Sequence, residues 1–197
     1  MTVHGRYRGI LADAPALDLA FNALPGVNSE DTFVRSNIPV WACTSDLAAT
    51  ATSVAIGTRI WLRKGDVITN ITFVSGNTAE NTPTHRAHAL YDPDGNLLAQ
   101  TADQLTAAWA QNTALKLPLS SPVTIPADGW YIVATTTTAT TTVNTLIGCA
   151  PIVTATAAVH TGSKSLGFTF GSALAGVFPA TTGTQTGVAR CPLAIVS

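Results

Sequence analysis

The sequence predicts an all-β protein: an antiparallel β-sandwich or jelly-roll-like domain of about eight strands, preceded by an N-terminal arm with a short helix. Three observations carry this. From Trp41 onward, short runs rich in Val, Ile, Thr, Tyr, Phe and Trp recur between clusters of Gly, Pro, Asn and Asp. Strands and helices do not alternate in the βαβ manner, which removes parallel-sheet folds. Finally, 197 residues with 46% AVILMFWYC and only 11% charged are enough for one domain with its own core and too apolar for disorder.

Residues 1–40 differ from the rest. They hold Asp13, Asp18, Glu30 and Asp31 among Pro and Gly, and one helical stretch, DAPALDLAFNAL. Such a segment buries little by itself, so it reads as an arm that docks on its own domain or on a neighbouring subunit. Residues 41–197 form the sandwich. SVAIGTRIWL is the first clear strand, and GDVITNITFVSG the second. In the second, Val67, Thr69, Ile71 and Phe73 alternate with Ile68, Asn70, Thr72 and Val74, which predicts one mostly apolar face and one mixed face. THRAHALYDPDG and LLAQTAD form a hairpin. Around residues 100–112, Leu105, Ala108, Trp109 and Asn112 have helical spacing, but the flanks are strand-like and an extended strand or loop is expected. ALKLPL follows, then PVTIPADGWYIVATT as a turn feeding an apolar strand, then TLIGCAPIV, SLGFTF and CPLAIVS. The threonine run ATTTTATTTVNT, residues 134–145, reads as plain strand because β-branched Thr suits a sheet without any ligand.

Charge excludes some partners. The net charge is −1 and the Lys and Arg residues are scattered, apart from the short cluster Arg59, Arg63 and Lys64, whose Arg63-Lys64 pair at a turn reads as a solvated strand end. No nucleic-acid surface is expected. The N-terminus lacks the apolar core of a secretion signal and no window is apolar enough to span a bilayer, so a chain made and folded in a cytoplasm, without membrane contact, is expected. A surface so poor in charge suits packing against other protein copies. Cys43, Cys149 and Cys191 lie far apart in sequence and read as small buried hydrophobes, neither a disulfide framework nor a zinc site.

Candidate chemistry is sparse, and no catalytic, cofactor-binding or metal-binding residue is assigned. His85 and His88 are the one close histidine pair, but three apart on a strand they point to opposite faces. His4 and His160 are isolated. Hydrolase, P-loop and dinucleotide motifs are missing. Asp66 and Asp128 each stand beside a turn glycine, where a carboxylate serves local hydrogen bonds. Asn70-Ile71-Thr72 has glycosylation-acceptor spacing but lies within a strand. YDPDGNLLAQTADQ approaches a calcium loop, with Asp92, Asp94, Asn96 and Asp103 at positions one, three, five and twelve. Its glycine falls at position four instead of six and its flanks are strands, so Pro93-Asp94-Gly95 is read as a hairpin turn.

The stretch from GDVITNITFVSG through LYDPDGNLLAQTAD to the Trp and the IPADGWYIVA strand resembles a module found in virion proteins of tailed phages, especially those infecting actinobacteria. The likeness covers roughly residues 56–135 and rests on turns and strands. It implies a β-sandwich in a virion, serving as capsid decoration protein, head fibre or minor tail protein. The expected function is therefore a non-enzymatic, homo-oligomeric protein, trimeric or of another order, that cements the capsid surface by contact with the major capsid protein. The alternative is a tail or fibre module that binds host glycans, with Trp109 or Trp130 as stacking platform against the plainer reading of core packing. A virion-borne glycan hydrolase is the third class, without a supporting constellation.

Overall fold

The β-branched and aromatic runs become strands across the described residues, 34–43, 45–105, 107–150 and 164–197, of the computed structural model. The arm helix expected at 13–24, His4 and His160 lie outside them. In chain order the strands are β1 (Arg35–Ser36), β2 (Ser45–Leu47), β3 (Ala55–Leu62), β4 (Val67–Val74), β5 (Asn81–Tyr91), β6 (Leu97–Gln100), β7 (Ala114–Thr124), β8 (Gly129–Thr142), β9 (Leu146–Cys149), β10 (Gly167–Phe170), β11 (Thr186–Gly187), β12 (Cys191–Pro192) and β13 (Ala194–Val196). The helical element among them is one 3-10 turn, Val40–Ala42. No helix of the described residues is long and apolar enough to cross a membrane.

All the pairings are antiparallel, in three sheets with the orders β11-β10-β3-β8-β5-β6, β1-β13-β4-β7 and β12-β9-β2. The third continues the second, since an isolated bridge joins Ser75 to Leu146. Alternation along β3 and β8 divides side chains between two covered faces. Ile56, Ile60, Leu62, Tyr131 and Val133 point inward and meet Ile68, Ile71, Phe73, Ala194 and Val196 of the four-stranded sheet. This is the sandwich core. On the outer face, Ala55, Ala87, Ala89 and Ala134 leave room for Phe168, Phe170, Leu174 and Phe178, which form a second apolar layer. The threonine run explains itself in this setting. It lies on β8 in the middle of the six-stranded sheet, and Thr135, Thr136 and Thr137 are buried. Thr135 Oγ1 sits 3.0 Å from His88 Nδ1, and Thr138 Oγ1 donates to the Leu174 carbonyl at 2.8 Å.

Three expectations change in detail. The period-two reading of β4 fails at its start: Thr69 and Asn70 both donate to the Ser197 carbonyl, and between Ile68↔Val123 and Asn70↔Pro118 the register slips, with Leu119–Pro122 of β7 set against Thr69 alone. Ile68 and Ile71 therefore share the core although three residues apart, because the bulge at Thr69–Asn70 shifts the alternation of β4 by one residue. CPLAIVS is two strands, since Cys191–Pro192 pair with β9 while Ala194–Val196 pair with β4 and β1. Arg59, of the basic cluster, is buried: it is 7% exposed, donates to the Ser165 carbonyl and Gln185, and lies 4.9 Å from the Phe168 ring centre. Burial lowers its pKa. The sheet also begins earlier than Trp41, because Arg35 and Ser36 pair with Val196 and Ile195. As expected, the described residues between β6 and β7 form a loop without a helix.

Candidate functional site

At one end of the six-stranded sheet, Trp61 of β3 stands directly opposite Trp130 of β8. Both belong to the outer face, yet they remain 41% and 49% exposed. Their rings meet edge to face, 5.5 Å between centres and 72° between planes. The ground beneath them is braced. Asp66 accepts the Arg63 N–H at 2.7 Å and the Arg35 guanidinium at 2.8 Å, and Asp128 accepts the Lys64 N–H at 2.7 Å. Gly65, at φ +92°, donates to the Ile125 carbonyl, and Ile125 donates back to Asp66, both at 2.8 Å. Asp66 is held by its own turn at Arg63, as expected, and also by Arg35, whereas Asp128 is held across by Lys64 of the β3–β4 turn and not within its own. What this end offers is rigid aromatic area, the kind of surface that carries binding energy when a partner covers it.

Of the two tryptophans singled out from sequence, Trp130 is available and Trp109 is not. Trp109 is 3% exposed in the core, with its indole N–H donating to the Thr113 carbonyl at 3.0 Å. Trp61 was missed. Its parity along β3 marks it as outward-facing, but only the β3–β8 register makes it the partner of Trp130.

YDPDGN is a turn. The Asp92 carboxylate accepts from the Asp94 N–H (3.0 Å), the Asn96 N–H (2.8 Å) and the Asn96 side-chain amide (2.8 Å), and Gly95 takes φ +89°. Asp103 is elsewhere, bound to His85 and to the Arg86 N–H. The four residues that mimic a calcium loop therefore do not converge. Burial by itself would raise the Asp92 pKa, but the hydrogen bonds from Asn96, Asp94 and Gly95 outweigh it and lower it. Its contribution is present above the ordinary carboxylate value and is lost as pH falls through the folded value. Asp92→Ala should cost about 1 kcal/mol at pH 7 in a urea titration. Calcium titrated calorimetrically into the wild type should give no binding heat, and tight binding abolished by Asp92→Ala would overturn this reading.

A second cluster is polar and internal. Glu80 and Arg86 form a fully buried ion pair. The Trp109 N–H donates to the same Glu80 oxygen at 3.1 Å, and Arg86 donates to the Ala107 carbonyl at 2.7 Å with its guanidinium 5.6 Å from the Trp109 ring centre. Burial raises the Glu80 pKa against the pull of Arg86. On the other face of β5, His85 Nδ1 lies 2.6 Å from Asp103 Oδ2, so His85 and His88 do point apart, as expected. His88 is wholly buried beside Phe73 and Trp109, and burial pushes its pKa down to about 3. Together these groups pin the loop after Gln100 onto β5. The sequence reading overlooked Asp103 as the His85 partner because eighteen residues of hairpin separate them.

The cysteines pack as small hydrophobes, as read from the sequence, with Cys191 buried and Cys43 and Cys149 half-buried. Far apart in sequence, Cys43, Cys149 and Cys191 gather in one cluster with Ile38, Leu193 and Ile195. Among the described residues no group of three or more His, Cys, Asp and Glu is arranged to hold a metal. A cleft lined by Thr50, Val54, Ile56, Thr135 and Asn144 admits about one water molecule.

Fold and surface define the class: a rigid antiparallel β-sandwich with inward-turned polar groups and an exposed aromatic pair at one end. No protein-family model matches the chain, and no curated protein matches it.

Proposed function

We propose that the chain is a non-enzymatic structural protein of a tailed-phage virion, a decoration or cement protein on the capsid surface that binds the major capsid protein through non-covalent contacts. The observation that carries this reading is the Trp61–Trp130 pair, exposed on a base whose acids are already held by hydrogen bonds within the fold. Exposed tryptophan on a rigid support is the residue type most enriched at the centre of protein interfaces. Low charge adds to the argument, because a surface with few ions loses little hydration when another protein covers it. The resemblance to phage virion modules spans residues 56–135 and so includes both tryptophans. In this reading the protein acts as a homotrimer or another homo-oligomer, and residues 1–33 extend the contact onto neighbouring capsid subunits.

The test uses capsid particles stripped of the protein. Trp61→Ala with Trp130→Ala should weaken rebinding by at least about 30-fold, the equivalent of 2 kcal/mol for one interface anchor. Removing residues 1–33, and no further, keeps Arg35 in its pair with Asp66 and should abolish attachment while the sandwich still melts cooperatively. Rebinding unchanged in both variants sinks the proposal.

The exposed pair also favours a second reading, a tail or fibre module that stacks host glycans on Trp130. The edge-to-face geometry argues for the protein partner, since it offers no coplanar platform for successive sugar rings. Glycan-array binding lost in Trp130→Ala would reverse that order.

A further inference from the structure

Cys191 of β12 stands directly opposite Cys149 of β9. The Leu193 N–H donates to the Ile147 carbonyl at 2.9 Å, which fixes the phase of this ladder and makes the cysteines the next hydrogen-bonded pair along it. Such pairs hold their Cα atoms about 5.5 Å apart, in the middle of the range that disulfides span. Directly opposed residues also project to the same side of a sheet, so the two thiols meet in the apolar cluster beneath β3. The third thiol is engaged differently, since Cys43 Sγ lies 3.8 Å from the Pro39 carbonyl oxygen.

We propose that Cys149 and Cys191 form a thiol–disulfide exchange site, which a low-molecular-weight disulfide closes into a cross-strand bridge. Cys149 is the half-buried member and Cys191 the fully buried one, so the incoming disulfide reaches Cys149 first. The Cys149 thiolate attacks one sulfur of RSSR, one RS⁻ leaves, and a mixed disulfide remains. The Cys191 sulfur then attacks the Cys149 sulfur and releases the second RS⁻. The two leaving thiolates take up the two protons that the cysteines lose. In sum, two protein thiols are oxidised by two electrons and RSSR is reduced to two RSH.

The second step is the slow one. Cys191 Sγ lies 3.3 Å from Thr58 Oγ1 and 3.6 Å from Asn37 Nδ2, and the titratable groups facing it are Cys149 and Cys43. Burial above all pushes its thiol up to about 12, so little thiolate is present at neutral pH. Once made, the bridge closes a loop that contains β10 and β11, which extend the six-stranded sheet beyond β3. A chain folded with free thiols would thus gain a covalent staple on entering oxidising surroundings. This inference stands apart from the capsid proposal and does not depend on it.

The experiment incubates the full chain with oxidised glutathione and maps peptides without reduction. The expected product is a Cys149–Cys191 cross-link, reversed by dithiothreitol, with a thermal midpoint about 5–10 °C above that of the reduced protein. Cys43→Ser should form the same bridge at the same rate. Cys191→Ser should stop at the mixed disulfide on Cys149. A wild-type product that remains a mixed disulfide, or a bridge mapped to Cys43 and Cys149, overturns the proposal.

Discussion

Replacing Arg86 with methionine lowers stability at pH 7 by about 3–5 kcal/mol, a large part of what a domain of this kind possesses. The side chains of Arg86 and Glu80 are 2% and 0% exposed, so the variant strands a buried carboxylate without the cation that offsets its lost hydration. Arg86 also covers Trp109 and binds the Ala107 carbonyl, so the loop between β6 and β7 loses a tether with it. The proportion due to the stranded charge can be separated. Glu80→Gln removes the charge and keeps an acceptor for the Trp109 N–H, so adding it to Arg86→Met should recover about half of the loss. In the single variant Glu80 gains stability by holding a proton. Its folded pKa then rises further above the unfolded value, and the deficit should grow as pH rises from about 4.5 to 7. Urea titrations at both pH values provide the check. A single variant within 1 kcal/mol of wild type, or a double variant that shows simple additivity, would show that the buried charge is not what matters.

The sheet content is legible in the sequence because its signals are local. β-Branched residues favour strands wherever they lie, and Pro93-Asp94-Gly95 specifies a turn through its own backbone preferences, which is why the hairpin reading of YDPDGN survives intact. Features that depend on pairing are not legible in this way. The bulge at Thr69–Asn70 forms against Ser197 at the far end of the chain, with the slip against β7 beside it, and no period within GDVITNITFVSG encodes either. Leu193 turns CPLAIVS from one sheet to the next because two different strands wait on either side of it. Arg59 looks exposed in a list of cations and becomes buried only when Phe168 arrives from more than a hundred residues away.

The same distinction governs the candidate sites. Trp130 could be singled out as an aromatic residue in a turn-to-strand motif, whereas the pairing with Trp61 is a fact of register. The cysteines show the effect most strongly. Spacing made a framework look improbable, and the fold brings Cys149 and Cys191 into direct opposition through a ladder of two residue pairs. Long-range antiparallel sheets make many such meetings, since each strand is placed by its neighbours and not by its position in the chain.

His88 should make the protein acid-sensitive in a window that carboxylates cannot explain. Its ring is fully buried between Phe73 and Trp109, and its pKa falls from 6.5 to about 3 because the interior disfavours the imidazolium. Between those values the unfolded chain binds a proton at this position and the folded chain does not. Stability contributed by the neutral ring is therefore complete above pH 6.5 and is lost progressively as pH falls toward 3, at up to about 1.4 kcal/mol per pH unit. Asp92, with its pKa already lowered, is silent above the carboxylate range, which leaves pH 6.5 to 5 as a window dominated by histidine. His88→Gln keeps a polar partner for Thr135 Oγ1 and cannot titrate. The variant will be less stable at pH 7, because glutamine fills the space between the two rings poorly. The decisive quantity is the slope: the gap between wild type and variant should narrow by about 1–2 kcal/mol from pH 6.5 to 5. Parallel curves across that range would mean that His88 is protonated in the folded protein or that the unfolded chain keeps it covered, and an NMR titration of its ring carbons distinguishes the two.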